Sequence, residues 1–162
     1  MTETLSACRI ALYQPDIPGN TGTILRTAAC LGFAVDMIEP AGFDASDRAL
    51  RRAGMDYLAM AALTRHADWQ AFRLASAGRR LVVATTRTDQ SYTGFAFRAG
   101  DIVLFGRESA GLPDTVHAVA DAAITIPMVE GARSLNLAVS TGIMAFEVRR
   151  HALAMPPKET GT

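Results

Sequence analysis

A chain of 162 residues, 49% of them hydrophobic, is long enough for one domain with a sizeable core and too apolar for a disordered segment. Its 16 Lys and Arg balance 16 Asp and Glu, and a formal net charge of zero runs against the basic footprint usual for polyanion binding. No uninterrupted apolar stretch reaches membrane-spanning length, and Met1-Thr2-Glu3-Thr4-Leu5-Ser6 lacks the basic and apolar blocks of a signal peptide, so a cytoplasmic protein is expected.

Along the chain, residues 9–14 read as a strand, 20–31 as a helix, 34–38 as a strand and 46–52 as a short helix that Ser46 can cap. Residues 68–77 read as a helix with Asp68 near its start. Residues 81–86 form a β-branched strand and 101–105 another, followed by a helix over 114–120, a strand over 123–126 and a long helix over 135–154. Strands separated by helices predict an α/β fold, a mostly parallel sheet flanked by helices. The reading gives one domain over 1–155 and a flexible tail over 156–162. In such folds ligands gather beyond the carboxyl ends of the strands, where Thr85, Thr86, Gly106 and Met128 fall.

Cys8 and Cys30 are too few for a disulfide framework and read as small buried hydrophobes. The three histidines, His66, His117 and His151, are scattered, and no metal site is expected. Basic residues cluster at Arg48, Arg51 and Arg52, at Arg79, Arg80 and Arg87, and at Arg149 and Arg150. Each cluster is either a phosphate-binding patch or a solvated face.

Three segments carry the chemistry. Leu104-Phe105-Gly106-Arg107-Glu108-Ser109-Ala110-Gly111-Leu112-Pro113 ends a strand in a glycine-punctuated turn, where a ligand can approach the backbone closely. Ile126-Pro127-Met128-Val129-Glu130-Gly131-Ala132-Arg133-Ser134-Leu135-Asn136-Leu137 places Ser134 as a helix cap beside backbone donors that can face a ligand. Either segment alone is also ordinary strand-to-helix punctuation. The third, Ile17-Pro18-Gly19-Asn20-Thr21-Gly22-Thr23-Ile24-Leu25-Arg26-Thr27, lies near the N-terminus.

In this order the three segments resemble the knotted SPOUT class of S-adenosylmethionine-dependent RNA methyltransferases, and most of all its small members that 2′-O-methylate the wobble nucleotide of tRNA. Leu12-Tyr13-Gln14-Pro15-Asp16-Ile17-Pro18, Ile38-Glu39-Pro40-Ala41-Gly42-Phe43 and Leu50-Arg51-Arg52-Ala53-Gly54-Met55-Asp56-Tyr57 are similar to the same subfamily. The resemblance implies a C-terminal trefoil knot. It also implies S-adenosyl-L-methionine held by Ala84, Gly106, Ile126 and Ser134, with Leu112, Met128, Leu135 and Asn136 completing an adenine pocket. Arg26 is implied as the catalytic residue, with Asn20 orienting it or the ribose, and Ser134 or Asn136 handling the proton. Because guanidinium groups stay protonated in proteins, fixing a phosphate and stabilising developing alkoxide charge suit Arg26 better than acting as a base.

Arg51 and Arg52 are expected to touch the anticodon region of tRNA, and Glu108 to fix a loop through an arginine or contact substrate. Leu137, Val139, Ile143, Met144, Phe146 and Val148 spread apolar side chains around most of the last helix, which favours a partner surface there, and the resemblance implies a homodimer pairing through that helix and the one bearing Arg26. Two positions depart from the subfamily. Ala138 to Ser140 replaces a more polar turn, and Phe146 stands where some members carry Tyr, so core packing is its expected role. Two other readings stay open, a methyltransferase of the same class acting on ribosomal RNA and a non-catalytic RNA- or cofactor-binding module.

Overall fold

The computed structural model describes residues 7–52 and 62–154, without the side chains of 47, 51, 52 and 152–154. Six strands, β1 (Arg9–Tyr13), β2 (Ala34–Ile38), β3 (Leu63–His66), β4 (Leu81–Ala84), β5 (Ile102–Phe105) and β6 (Ala122–Ile124), form one sheet. Their order is β3-β2-β1-β5-β4-β6 and every pairing is parallel. The helices are α1 (Pro18–Leu31), α2 (Asp47–Arg52), α3 (Trp69–Ala75), α4 (Asp114–Ala118) and α5 (Leu137–Ala154).

Alternation along the central strands explains why both faces are covered. Ile10, Leu12, Val103 and Phe105 join Ile24, Leu25, Ala28, Met144, Ala145 and Val148 under α1 and α5. Ala11, Ile102 and Leu104 point the other way, with Leu81 and Val83, onto Phe72 of α3 and Val116 of α4. In α1 the buried Thr21, Ile24, Leu25 and Ala28 repeat at one helical face, and Gly32, at a φ of 79°, ends the helix in the left-handed region.

The predicted elements recur with shifted ends, and two were not anticipated. β3 holds a single apolar residue in Leu63-Thr64-Arg65-His66, yet it pairs with β2 throughout. A buried polar network helps to hold it. Arg9 donates to Asp36 at 2.5 and 3.0 Å and reaches Thr64, while His66 bonds Asp36 at 2.8 Å, so three strands share one carboxylate. A 3-10 turn over Tyr92–Gly94 is the other addition.

Several side chains differ from expectation. Asn136, two residues after Ser134, caps α5, its Oδ1 accepting from Ala138 N at 2.9 Å and Val139 N at 3.2 Å. Cys8 is buried but Cys30 is exposed, because it sits on the outer face of α1. Phe146 is 60% exposed rather than part of the core. Ser46 caps α2 as predicted, and Asp68, expected only near the start of α3, caps that helix through Ala71 N. Residues 53–61 and the tail over 156–162 lie outside the described residues.

Candidate active site

Strand succession sets the location. From β1 the chain moves outward to β2, whereas from β5 it passes over β4 to β6, so the loops after β1 and β5 diverge from adjacent strands and leave a crevice at the carboxyl edge. A cleft of about 590 Å³ opens there. Ile17 and Asn20 contribute from the start of α1, Ala84 to Arg87 from the end of β4, Phe105 to Leu112 from the β5–α4 loop, and Thr125, Ile126 and Met128 from the segment after β6. Arg133 to Leu137 close the remaining side.

Two carboxylates bind the β1–α1 and β5–α4 loops together by a reciprocal exchange. Asp16 Oδ1 accepts from Arg107 Nη2 at 2.6 Å and Nε at 3.2 Å, and Oδ2 accepts from the Ser109 hydroxyl and from Ser109 N at 3.1 Å. In return Glu108 Oε2 accepts from Asp16 N at 2.8 Å and Oε1 from Ile17 N at 3.3 Å. Ile17 offers no side-chain cap to α1, and the Glu108 carboxylate sits at the helix start, taking the amides of the N-cap Ile17 and of Asp16 before it. Arg107 also donates to Gln14 Oε1 at 3.3 Å, with Gln14 held at a φ of 43°. The Arg107 guanidinium, with help from Ser109, holds the Asp16 carboxyl down to about 2.

A second chain of bonds crosses the cleft mouth. Asn20 Nδ2 donates to Glu108 Oε1 at 3.4 Å, and Asn20 Oδ1 accepts from Asn136 Nδ2 at 3.0 Å. With both cap bonds on its oxygen, the Asn136 amide joins the starts of α1 and α5. All three sequence segments therefore meet in one polar seam.

Beneath the seam, Gly106 lets the 107–111 loop fold back on the strand end. Arg107 and Gly111 exchange backbone bonds at 3.1 and 2.8 Å, and a Cβ on Gly106 would lie 2.5 Å from the Gly111 carbonyl carbon and 2.7 Å from Leu112 N. Gly111 itself has a φ of 65°.

Of the sequence-derived site residues, Asn20, Ala84, Gly106, Glu108, Leu112, Ile126, Met128, Ser134, Leu135 and Asn136 all line this cleft. Arg26 does not. It is exposed and lies six residues along α1 from Asn20. The side chains of Arg51 and Arg52 lie outside the described residues. Glu108 joins the loops through the backbone amides of Asp16 and Ile17 and through Asn20, rather than through an arginine. Among the other arginines, Arg80 pairs with Asp101 at 2.6 Å, Arg79 donates to Ala7 O, Arg149 to Leu31 O, and Arg150 pairs with Glu147 at 2.6 Å. Those clusters serve internal contacts.

Arg107 and His117 line the cleft without a role assigned from sequence, as does Asp16 in anchoring Arg107 beside it, and Arg87 of the second basic cluster joins them. Asp16 and Arg107 are 91 residues apart, so no local spacing reveals them. Arg87 pairs with Asp114 at 2.7 Å. Burial pushes the His117 imidazole below the usual histidine range, and Arg87 adds to the shift while Asp114 opposes it. Among the described residues no group of three or more His, Cys, Asp or Glu could hold a metal, and no helix is long and apolar enough to cross a membrane.

An all-parallel α/β sheet with a cleft of this composition at its switch point is a small-ligand-binding architecture. Residues 7–146 match the model of the SpoU rRNA Methylase family, and the chain belongs to that family. It is 54% identical over 148 residues to the tRNA (cytidine(34)-2'-O)-methyltransferase of Beijerinckia indica, covering 90% of this chain and 92% of that protein. A solved structure from work on the 2-OH methylation of C/U34 on tRNA superposes with a TM-score of 0.84 at 42% identity, covering 91% of this chain and 97% of the other. An AdoMet-bound rRNA methyltransferase from Sinorhizobium meliloti gives a TM-score of 0.79 at 33% identity, over 89% of this chain and 56% of that one.

Proposed function

We propose that this protein transfers a methyl group from S-adenosylmethionine to the ribose 2′-hydroxyl of the wobble nucleotide of tRNA, cytidine 34 and also modified uridine 34. The observation that carries the reading is the meeting of all three sequence segments in one cleft, in a chain whose wobble-methylating relatives align over nearly its whole length.

The cleft fits the cofactor by volume and by chemistry. About 590 Å³ lies within the usual range of roughly 300–1,000 Å³ for small-ligand sites. Ala84, Ile126, Leu112, Met128 and Leu135 supply apolar walls for an adenine ring. Backbone groups at Gly106 and Ile126 and the Ser134 hydroxyl supply polar selectivity. The bound cofactor would bring a methyl group already activated by its sulfonium, so little covalent help is needed from the protein.

The side chains then hold and exclude. Asn136 spends its oxygen on two cap bonds and one amide hydrogen on Asn20, so it acts by positioning rather than as a proton acceptor. Ser134 makes no hydrogen bond among the described residues, which leaves its hydroxyl available to meet the ribose or relay its proton. Arg26 fixes a substrate phosphate and stabilises the developing alkoxide.

Arg26 lies outside the cleft of its own subunit, which supports a homodimer in which it faces the partner's cleft. Val139 and Phe146 on α5, 50% and 60% exposed, and Ile17 at the start of α1 provide apolar surface for pairing. The same reading includes a trefoil knot, with α5 leaving the cleft segment and packing back against α1, and a cytoplasmic enzyme acting on the anticodon region of tRNA. Arg51 and Arg52 are its additional RNA contacts.

Incubating the purified protein with S-adenosylmethionine and unmodified or cellular tRNA, then mapping ribose methylation, tests the reading. Methylation at position 34 is expected. Methylation confined to ribosomal RNA, or none on any RNA, overturns it.

A further inference from the structure

We propose that Arg133 is the cleft's phosphate clamp, the cation that takes hold of an RNA phosphodiester beside the reacting ribose. The inference rests on RNA being the substrate. Four basic side chains line the cleft: Arg87, Arg107, His117 and Arg133. Three are already occupied or weakened as cations. Arg107 is held by Asp16 and Gln14, Arg87 by Asp114 at 2.7 Å, and His117 is shifted toward its neutral form by burial.

Arg133 differs from them. It is exposed and, among the described residues, makes no hydrogen bond, ion pair or ring contact. Its backbone is nonetheless anchored on both sides. Before it, Ala132 N donates to Val129 O at 3.2 Å around Gly131, whose φ is 86°. After it, Asn136 is tied to Asn20 and to the start of α5. The chain thus fixes where the guanidinium emerges while leaving its donors open.

A guanidinium facing a ligand cleft with no internal anion is suited to bidentate recognition of an incoming one. Two kinds of anion could arrive, the carboxylate of the cofactor's amino-acid end and an RNA phosphate. Placement favours phosphate. Arg133, Ser134, Leu135 and Asn136 are all exposed and form the outer wall, whereas the deeper wall comes from Ala84, Phe105 and Leu112. A protein with no net charge also has to supply its polyanion contacts locally.

The test uses the full-length protein with Arg133→Ala and Arg133→Lys, each checked by thermal melting and sedimentation. Calorimetry reads S-adenosylmethionine affinity, and methyl transfer to tRNA is measured across a salt series. For Arg133→Ala the KM for tRNA is expected to rise roughly fivefold to tenfold, as for loss of a charge-assisted contact. The slope of log affinity against log salt should become shallower by roughly 0.7 to 0.9, the share of one phosphate. Cofactor affinity should stay unchanged, and Arg133→Lys should recover most of the slope. Loss of cofactor affinity assigns Arg133 to the carboxylate, and loss of oligomeric state assigns it to an interface; either result overturns the proposal, as does an unchanged salt slope. A wild-type protein that binds RNA but methylates no tRNA overturns the substrate reading instead, and the salt slope of RNA binding then still decides Arg133.

Discussion

At the scale of single residues, Asp16 joins two loops through four hydrogen bonds to Arg107 and Ser109. Its carboxyl titrates at about 2 against an ordinary value of 3.8, so the folded state favours the charged form. The resulting stabilisation is fully present above the ordinary value and is lost as pH falls through about 2. Asp16→Asn is therefore expected to melt several degrees below wild type at neutral pH, with the gap closing between pH 4 and pH 2 in a calorimetric series. A gap independent of pH would mean that the carboxylate's charge is not what holds the loops. Gly106 acts by having no side chain. Gly106→Ala drives a Cβ into the Gly111–Leu112 backbone, so calorimetry should find cofactor affinity reduced at least about tenfold, from the strain of moving a turn. Arg26→Ala should slow methyl transfer by at least about two orders of magnitude with cofactor affinity near wild type, and Arg26→Lys should lose less.

Among the elements, α5 depends most visibly on a single side chain. Replacing Asn136 with Ala removes the cap and the Asn20 link together, and caps are typically worth about 1 kcal/mol. Asn136→Ala should therefore lower both the melting temperature and kcat, whereas Asn20→Ala, which spares the cap, should lower kcat with a smaller thermal effect. Equal thermal losses in the two variants would deny the cap its separate role. The elements also show what a sequence can reveal. β5 is legible because Ile102-Val103-Leu104-Phe105 is wholly apolar and wholly buried. β3 is not, since its partners Asp36 and Arg9 lie 30 and 57 residues away from His66, beyond any periodicity. Ser134 and Asn136 are both good caps two positions apart, and only the backbone decides which one faces the donors. The cleft's apolar and glycine positions could be read from their motifs, but the Asp16–Arg107 bond could not, because it exists only once β1 and β5 lie side by side.

On the scale of the molecule, the exposed Phe146 and Val139 are the test of assembly. Sedimentation at micromolar concentration is expected to give a species near twice 17.3 kDa, and Phe146→Glu should shift it toward a monomer that stays folded, binds cofactor and transfers methyl groups poorly. A monomeric, fully active protein would remove the shared-site reading. The strand order carries a different consequence, for synthesis. β1 sits at the centre of the sheet, but its neighbour on one side, β5, is translated some 90 residues later. Until then β1 has an open, apolar edge, and loop closure over that distance makes the pairing slow and exposed to wrong partners. A nascent chain stopped before Ile102 should be protease-sensitive and prone to aggregate. One carried through α5 can fill the central seam and form its catalytic cleft in the same event.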